Sequence, residues 1–307
     1  MRATAAPEGA IVTVGVLTLG VSGRSPHLEA LRQGLREHGY VDGKNARFEY
    51  RFAEGHADRL APMAAQLVEL KVRLIVTESA PAALAASRAT KSIPIVMAVV
   101  SDPVAAGFAA SLARPGGNLT GLTLAGAERS AKQVEVLKQC LPAATSMAII
   151  YAPRATIGTD LEEARSTGRA LGIALQFFEV TSPEDLDKTF DAIVRARPSA
   201  VMTIGHGLLL GNRRRIVEFC LKNRLPAVFP EREFAEAGGL LSYGPDLVAN
   251  FRRVGSFVDR ITKGAAPGDL PIEQPTKWEL VVNLRTAQAL GIKIPGSILV
   301  RADEVIQ

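Results

Sequence analysis

Two cysteines in 307 residues leave little room for cysteine chemistry. Cys140 and Cys220 fall far apart on helix-like segments and fit no metal-ligand spacing, while a disulfide between them is neither supported nor excluded. No apolar run approaches the roughly 20 residues that a membrane-spanning helix needs. Residues 1–10 carry one basic residue and no apolar core, so they do not read as a signal peptide. Either the protein is cytoplasmic or the chain begins near a processed terminus, and the small-residue run Ala3-Thr4-Ala5-Ala6-Pro7 fits the second case. Nucleotide-binding and hydrolase motifs are missing as well. Gly20-Val21-Ser22-Gly23 runs on into Arg24-Ser25 and makes no Gly-x-Gly-x-x-Gly, and there is no Walker loop, Gly-x-Ser-x-Gly or His-Glu-x-x-His. None of the four histidines stands in a motif with a nucleophile. The net charge of +5 is densest at Arg213-Arg214-Arg215 and Arg252-Arg253, without interleaved aromatics, so these runs read as solvated helix faces and no nucleic-acid partner is expected.

What is present is a globular composition, 47% hydrophobic, on a chain long enough for one large or two ordinary domains. A pattern also occurs twice. Leu60-x6-Leu67, Leu74-Ile75-Val76-Thr77, Ile93-Pro94-Ile95-Val96 and Ala106-Gly107 are matched by Leu186-x6-Ile193, Ala200-Val201-Met202-Thr203, Leu225-Pro226-Ala227-Val228 and Ala237-Gly238-Gly239. The spacings agree except between Thr and Pro, where the second copy is longer. Each copy reads helix, buried strand, helix, strand, the unit of a parallel sheet. The expected fold class is therefore α/β, with two similar parallel-sheet lobes and a ligand cleft between them.

Further elements follow from local signals. Ile11 to Leu17 is a buried strand, and Ser25-Pro26 caps and opens a helix that ends at Gly39. Ala46 to Phe52 alternates as a half-exposed edge strand. Leu119 to Leu124 leads out of the first lobe, and a helix over Ser130 to Leu141 opens the second. A helix over Val248 to Thr262 and the following loop return the chain to the first lobe.

Ligands of open parallel sheets bind beyond the carboxyl ends of the strands, where helix N-termini present free amides. That rule selects Thr18-Leu19-Gly20, Thr77-Glu78-Ser79-Ala80 and Val100-Ser101-Asp102-Pro103 in the first lobe. In the second it selects Tyr151-Ala152-Pro153-Arg154, Thr203-Ile204-Gly205-His206 and Pro230-Glu231-Arg232. Ser79 and the Ala80 amide suit a carboxylate as well as they suit a helix cap. Ser101 and Asp102 read first as a helix cap. A loop carboxylate such as Glu231 is ordinarily exposed, though it suits a ligand ammonium. His206 reads as a surface or hydrogen-bonded residue that can also meet a ligand.

Arg32-Gln33-Gly34-Leu35, Gly39-Tyr40-Val41-Asp42-Gly43-Lys44-Asn45 and Glu49-Tyr50-Arg51 open a longer ordered set. It continues through Asp102-Pro103-Val104, Arg114-Pro115-Gly116-Gly117-Asn118-Leu119-Thr120-Gly121, Ala237-Gly238-Gly239-Leu240 and Ser242-Tyr243-Gly244. Leu270-Pro271, Gln274-Pro275-Thr276-Lys277 and Arg301-Ala302-Asp303-Glu304-Val305-Ile306 close it. Together these resemble the ABC-transporter substrate-binding family that includes tryptophan- and phenylalanine-binding members. The resemblance implies a type I periplasmic-binding-protein fold and a monomeric bacterial receptor that takes a small carboxylate-bearing solute, without a cofactor, and hands it to a membrane permease. A periplasmic location follows from the same resemblance. The chain departs from the family at two loops: Ala152-Pro153-Arg154-Ala155-Thr156 replaces an Asn-Pro-x-Asn-Pro turn, and Glu231 stands where relatives usually carry Trp.

The expected division is 1–122 with 244–275, and 123–243 with 276–307, joined by a hinge. Thr18, Ser79, Ala80, Ser101 and Asp102 are the expected ligand residues of the first lobe, and Tyr151, His206, Glu231 and Tyr243 those of the second. A cytoplasmic two-lobed enzyme, such as an amino-acid racemase, is the alternative. It would need paired acid/base groups, often cysteines, at strand ends. A regulator's sensor domain has no support, since no helix-turn-helix segment precedes Ile11.

Overall fold

Apolar runs without alternation, Leu74–Thr77 and Ala200–Thr203 among them, become central strands, because only a strand covered on both faces tolerates such a run. The computed structural model describes residues 11–20, 22–23, 25–124, 126–153, 157–275 and 277–307. The chain opens with β1 (Val12–Thr18), α1 (Pro26–Glu37), β2 (Ala46–Phe52), α2 (Leu60–Glu69), β3 (Leu74–Thr77), α3 (Ala80–Ala89), β4 (Ile95–Val100) and β5 (Leu119–Thr123). It continues through α4 (Gly126–Cys140), β6 (Ser146–Tyr151), α5 (Ile157–Ala170), β7 (Ala174–Glu179), α6 (Asp185–Ala196) and β8 (Ala200–Thr203). Next come α7 (Gly207–Gly211), α8 (Arg213–Lys222), β9 (Ala227–Phe229), α9 (Arg232–Glu236), β10 (Leu241–Pro245) and α10 (Leu247–Thr262). The last elements are β11 (Trp278–Asn283), α11 (Leu284–Leu290), α12 (Gly296–Arg301) and β12 (Glu304–Ile306). Two compact units result: the first ends at Leu124 and resumes over Leu247–Pro275, and the second holds the rest of the chain to Gln307.

The first unit is a parallel sheet of order β2-β1-β3-β4-β5. Helices α1 and α10 cover one face through Leu28, Leu31, Leu35, Phe251, Val254 and Phe257, which pack on Val14, Val16 and Val76. On the other face Leu67 of α2 lies against Gly15 of β1. As its alternation predicts, β2 forms an edge, where Arg32 of α1 stacks over the Tyr50 ring.

The second unit has seven strands in the order β12-β11-β10-β9-β8-β6-β7. Its parallel part, β7-β6-β8-β9-β10, repeats the first unit's order strand for strand. The repeated sequence pattern is thus α2-β3-α3-β4 in one sheet and α6-β8-α7-α8-β9 in the other. The extra length of the second copy is taken up by α7. Two features depart from the symmetric expectation. β11 pairs antiparallel with β10, and β12 pairs parallel with β11, extending the sheet beyond the repeated five strands.

Other expectations need correction. Ser25 stands at the N-cap of α1 but its side chain makes no capping bond. Ser101-Asp102 precede no helix: Asp102 Oδ1 accepts from Val104 and Ala105 N–H at 3.1 and 2.9 Å, and Gly107, at φ +73°, ends the coil after one turn. Helix α4 starts at Gly126 rather than Ser130, since Arg129 and Gln133 extend its buried face with polar side chains. Cys140 and Cys220 are free and buried, and burial pushes their thiols up to about 11 and about 12. Arg215 pairs with Asp187, Arg252 with Glu37, and Arg253 with Glu273.

Candidate functional site

Each sheet reverses the direction of its winding between its first and third strands, β1 and β3 in one unit and β6 and β8 in the other. Such a switch point leaves a crevice beyond the carboxyl ends of the strands. In the first unit that crevice is bridged by the protein's own oxygens. Gly20 N–H donates to Thr18 Oγ1 and to Glu78 Oε1, both at 2.9 Å, so the loops after β1 and β3 are tied together. Ser22 N–H donates to Glu54 Oε1 at 2.9 Å. Thr18 and Ser79 are buried, and Ser79 caps α3 by accepting from Ala82 N–H at 3.3 Å. Ala80 is the first residue of that helix. The Ser101 carbonyl accepts from the Thr123 hydroxyl at 2.8 Å.

In the second unit Tyr151 ends β6, and its hydroxyl donates to Glu179 Oε2 at 2.9 Å. Burial, then this carboxylate, raises its pKa. His206 caps α7, with Nδ1 accepting from Leu208 N–H at 3.2 Å. Glu231 is not the exposed loop carboxylate its position suggests. It is 6% exposed, at the start of α9. Arg232 pairs with Glu236 at 2.9 Å, with Glu279 of β11 at 3.4 Å, and with Glu304 of β12. Burial pulls the Arg232 pKa down, and these three carboxylates more than offset it. Phe234 of α9 stacks on Phe229 of β9, anchoring the helix from below.

Two side chains converge on Gly205, in the loop after β8. A Cβ on Gly205 would stand 2.8 Å from Glu231 Oε1 and 3.0 and 3.2 Å from Nη2 and Nη1 of Arg129. Arg129 comes from the first turn of α4 and is 1% exposed. Gly205, His206, Glu231 and Arg129 thus gather at one end of the second sheet. Tyr243 does not join them. Its ring stacks on Trp278 at 5.6 Å, on the face that α4 covers, with Lys132, Glu135, Arg301 and Asp303 as charged neighbours. Arg154 and most of its loop lie outside the described residues.

Glu78 lies in a loop selected from the sequence but without a role assigned to it, and Arg129 lies outside the selected loops. A signal for Arg129 exists: with Gln133, Leu137 and Cys140 it continues the buried stripe of α4 at spacings of four, four and three. Glu78 carries no such pattern, because its contact with Gly20 is long-range.

Two doubly wound α/β units, joined where the chain crosses between them and each closing on polar strand-end loops, define a bilobal ligand-binding protein. The chain belongs to the ABC transporter substrate binding protein family, whose model matches residues 13–306. It is 24% identical over 273 residues to a tyrosine-binding protein of Clostridioides difficile, covering 87% of this chain and 78% of that one. A conserved domain protein from Vibrio cholerae superimposes with a TM-score of 0.88 at 28% identity, over 96% of this chain and 99% of that one. An ABC domain from Streptococcus pneumoniae, solved with L-Trp, gives 0.86 at 28% identity, over 95% and 100%. The expected type I periplasmic-binding-protein fold is the fold observed.

Proposed function

We propose that this protein is the extracytoplasmic receptor of an ABC importer and binds an amino acid between its two units, delivering it unchanged to a membrane permease. The observation that carries the reading is the gathering of buried polar side chains at the carboxyl ends of both sheets, on a chain that matches the receptor family from residue 13 to residue 306. Thr18, Ser79, Ala80, Ser101 and Asp102 belong to the solute-facing end of the first unit. Tyr151, His206 and Glu231 belong to that of the second, and Tyr243, stacked on Trp278, does not. The relatives named above, one a tyrosine-binding protein and one solved with L-Trp, support an amino acid as the solute. Glu231, in place of a family Trp, favours a more polar one.

A receptor that closes on its solute by hinge bending becomes more compact when saturated. The test is a thermal-shift and calorimetric screen over the standard amino acids. A solute that binds only the folded state raises the melting temperature by mass action. The racemase alternative is disfavoured by the thiols, because a group with a pKa of about 11 or 12, on a helix and buried, is a poor acid/base catalyst near neutrality.

A further inference from the structure

We propose that Glu78 reads a primary ammonium group of the solute, at the switch point of the first unit between the loops after β1 and β3. The proposal rests on the reading above that the solute is an amino acid.

The backbone at this end is already spent on the protein itself. Gly20 N–H serves Thr18 and Glu78, Ser22 serves Glu54, Ala82 serves Ser79, and Val104 and Ala105 serve Asp102. The carbonyls are engaged as well: those of Thr18, Leu19 and Gly20 accept from Ala53, Gly55 and Glu54 N–H at 2.9, 2.7 and 3.2 Å. The loop after β1 is thus held by the loop after β2 on one side and by Glu78 on the other. What remains for a ligand here is side-chain chemistry.

Glu78 is the charged part of it. Its Oε1 is fixed by the Gly20 N–H, and a Cβ on Gly20 would stand 3.1 Å from that oxygen, so glycine lets the carboxylate approach the β1 loop this closely. A carboxylate has about four acceptor positions, and the Gly20 bond occupies one. No lysine or arginine among the described residues pairs with Glu78, nor with Glu54 and Asp102, which follow β2 and β4. Elsewhere in the same unit Glu29, Glu37, Glu49, Asp259 and Glu273 each pair with an arginine or a lysine. A strand end lined by one sign of charge concentrates ligands of the other sign. A half-buried carboxylate without a counter-ion also attracts one more strongly than a fully solvated carboxylate does.

Ser101 adds a neutral contact. It follows β4, the neighbour of β3, and is 8% exposed, yet its hydroxyl makes no hydrogen bond among the described residues. Thr18 Oγ1 keeps one lone pair after accepting from Gly20. An ammonium has three donors, which one carboxylate and two hydroxyl oxygens satisfy together.

The experiment is calorimetric titration of the full chain with the standard amino acids, each paired with its desamino form, in which hydrogen replaces the α-ammonium. L-lysine is also paired with norleucine, which lacks only the side-chain ammonium. Wild-type protein is expected to bind at least one amino acid, and to bind its ammonium-lacking partner at least tenfold more weakly. Loss in the desamino form identifies the α-ammonium as the group read, and loss in norleucine identifies the side-chain ammonium of lysine. Glu78→Gln keeps an acceptor for Gly20 N–H and removes the charge. It should lose about ten- to a hundredfold for the amino acid and little or nothing for the ammonium-lacking partner. An unchanged melting temperature without solute shows that the variant is folded. Wild-type affinity in folded Glu78→Gln, or equal losses for the amino acid and its ammonium-lacking partner, would overturn the proposal and leave the receptor reading standing. Binding of no standard amino acid by the wild-type chain overturns that reading and the proposal with it.

Discussion

Gly34 of α1 and Gly255 of α10 touch through their backbones. A Cβ on Gly255 would overlap the carbonyl of Gly34, and a Cβ on Gly34 would overlap the carbonyl of Arg252. The two helices that cover one face of the first sheet therefore cross at a distance only glycine permits. Neither glycine has a positive φ, so close approach is the reason they are required. Replacing either with Ala forces the helices apart and should cost at least ~1–3 kcal/mol, the usual cost of overpacking. Chemical denaturation of Gly34→Ala and Gly255→Ala checks this, and wild-type stability in either would contradict it.

Ser79→Ala removes a helix cap at the solute-facing end of the first unit. The expected result is a loss of about 1 kcal/mol of stability and a weaker affinity for the solute. Melting curves and titrations on the same preparation separate the two effects.

Glu78→Ala breaks the bond to Gly20 that ties the β1 and β3 loops together. A hydrogen bond to a charged group contributes about 1.5–3 kcal/mol when buried, and Glu78 is only half-buried, so the low end is expected. Hydrogen exchange at the Gly20 amide should accelerate in this variant. Unchanged protection would mean the loop is held by other contacts.

All four tyrosines, Tyr40, Tyr50, Tyr151 and Tyr243, have raised pKa values, with burial the largest cause in each. The folded chain therefore holds the phenolic proton more tightly than the unfolded chain does. This contribution to stability is fully present below the unfolded value of about 10 and is lost as pH rises through the folded values. Native tyrosinate absorbance should titrate above that of the urea-unfolded chain, and the melting temperature should fall across that alkaline window. Coincident titrations would contradict the burial.

The strands were legible because their cause is local. Leu74 to Thr77 is apolar on both faces, and Ala46 to Phe52 alternates, so central and edge positions could be told apart from the residues alone. The direction of β11 was not legible, since a strand's own sequence carries no mark of its partner's polarity. Asp102-Pro103 has the chemistry of a helix start, and only Gly107, five residues on, shows that the coil stops. Glu231 was placed in the correct loop but in the wrong environment. It is buried against the Gly205 loop, where Arg129 also approaches, and residues that far apart in the chain leave no local mark of the contact. Arg129 carries a weaker mark: an arginine at a helix start ordinarily faces solvent, and only its place on the stripe of Gln133 and Cys140 sets it apart.

The central claim is that the chain binds an amino acid and releases it unchanged. Its most direct test is calorimetric titration with each standard amino acid, followed by mass-spectrometric and chiral analysis of the solute recovered from the complex. The account predicts one-to-one binding of at least one amino acid, recovered with its structure and handedness intact. A racemised or otherwise converted solute, or no binding across the whole set, would contradict it.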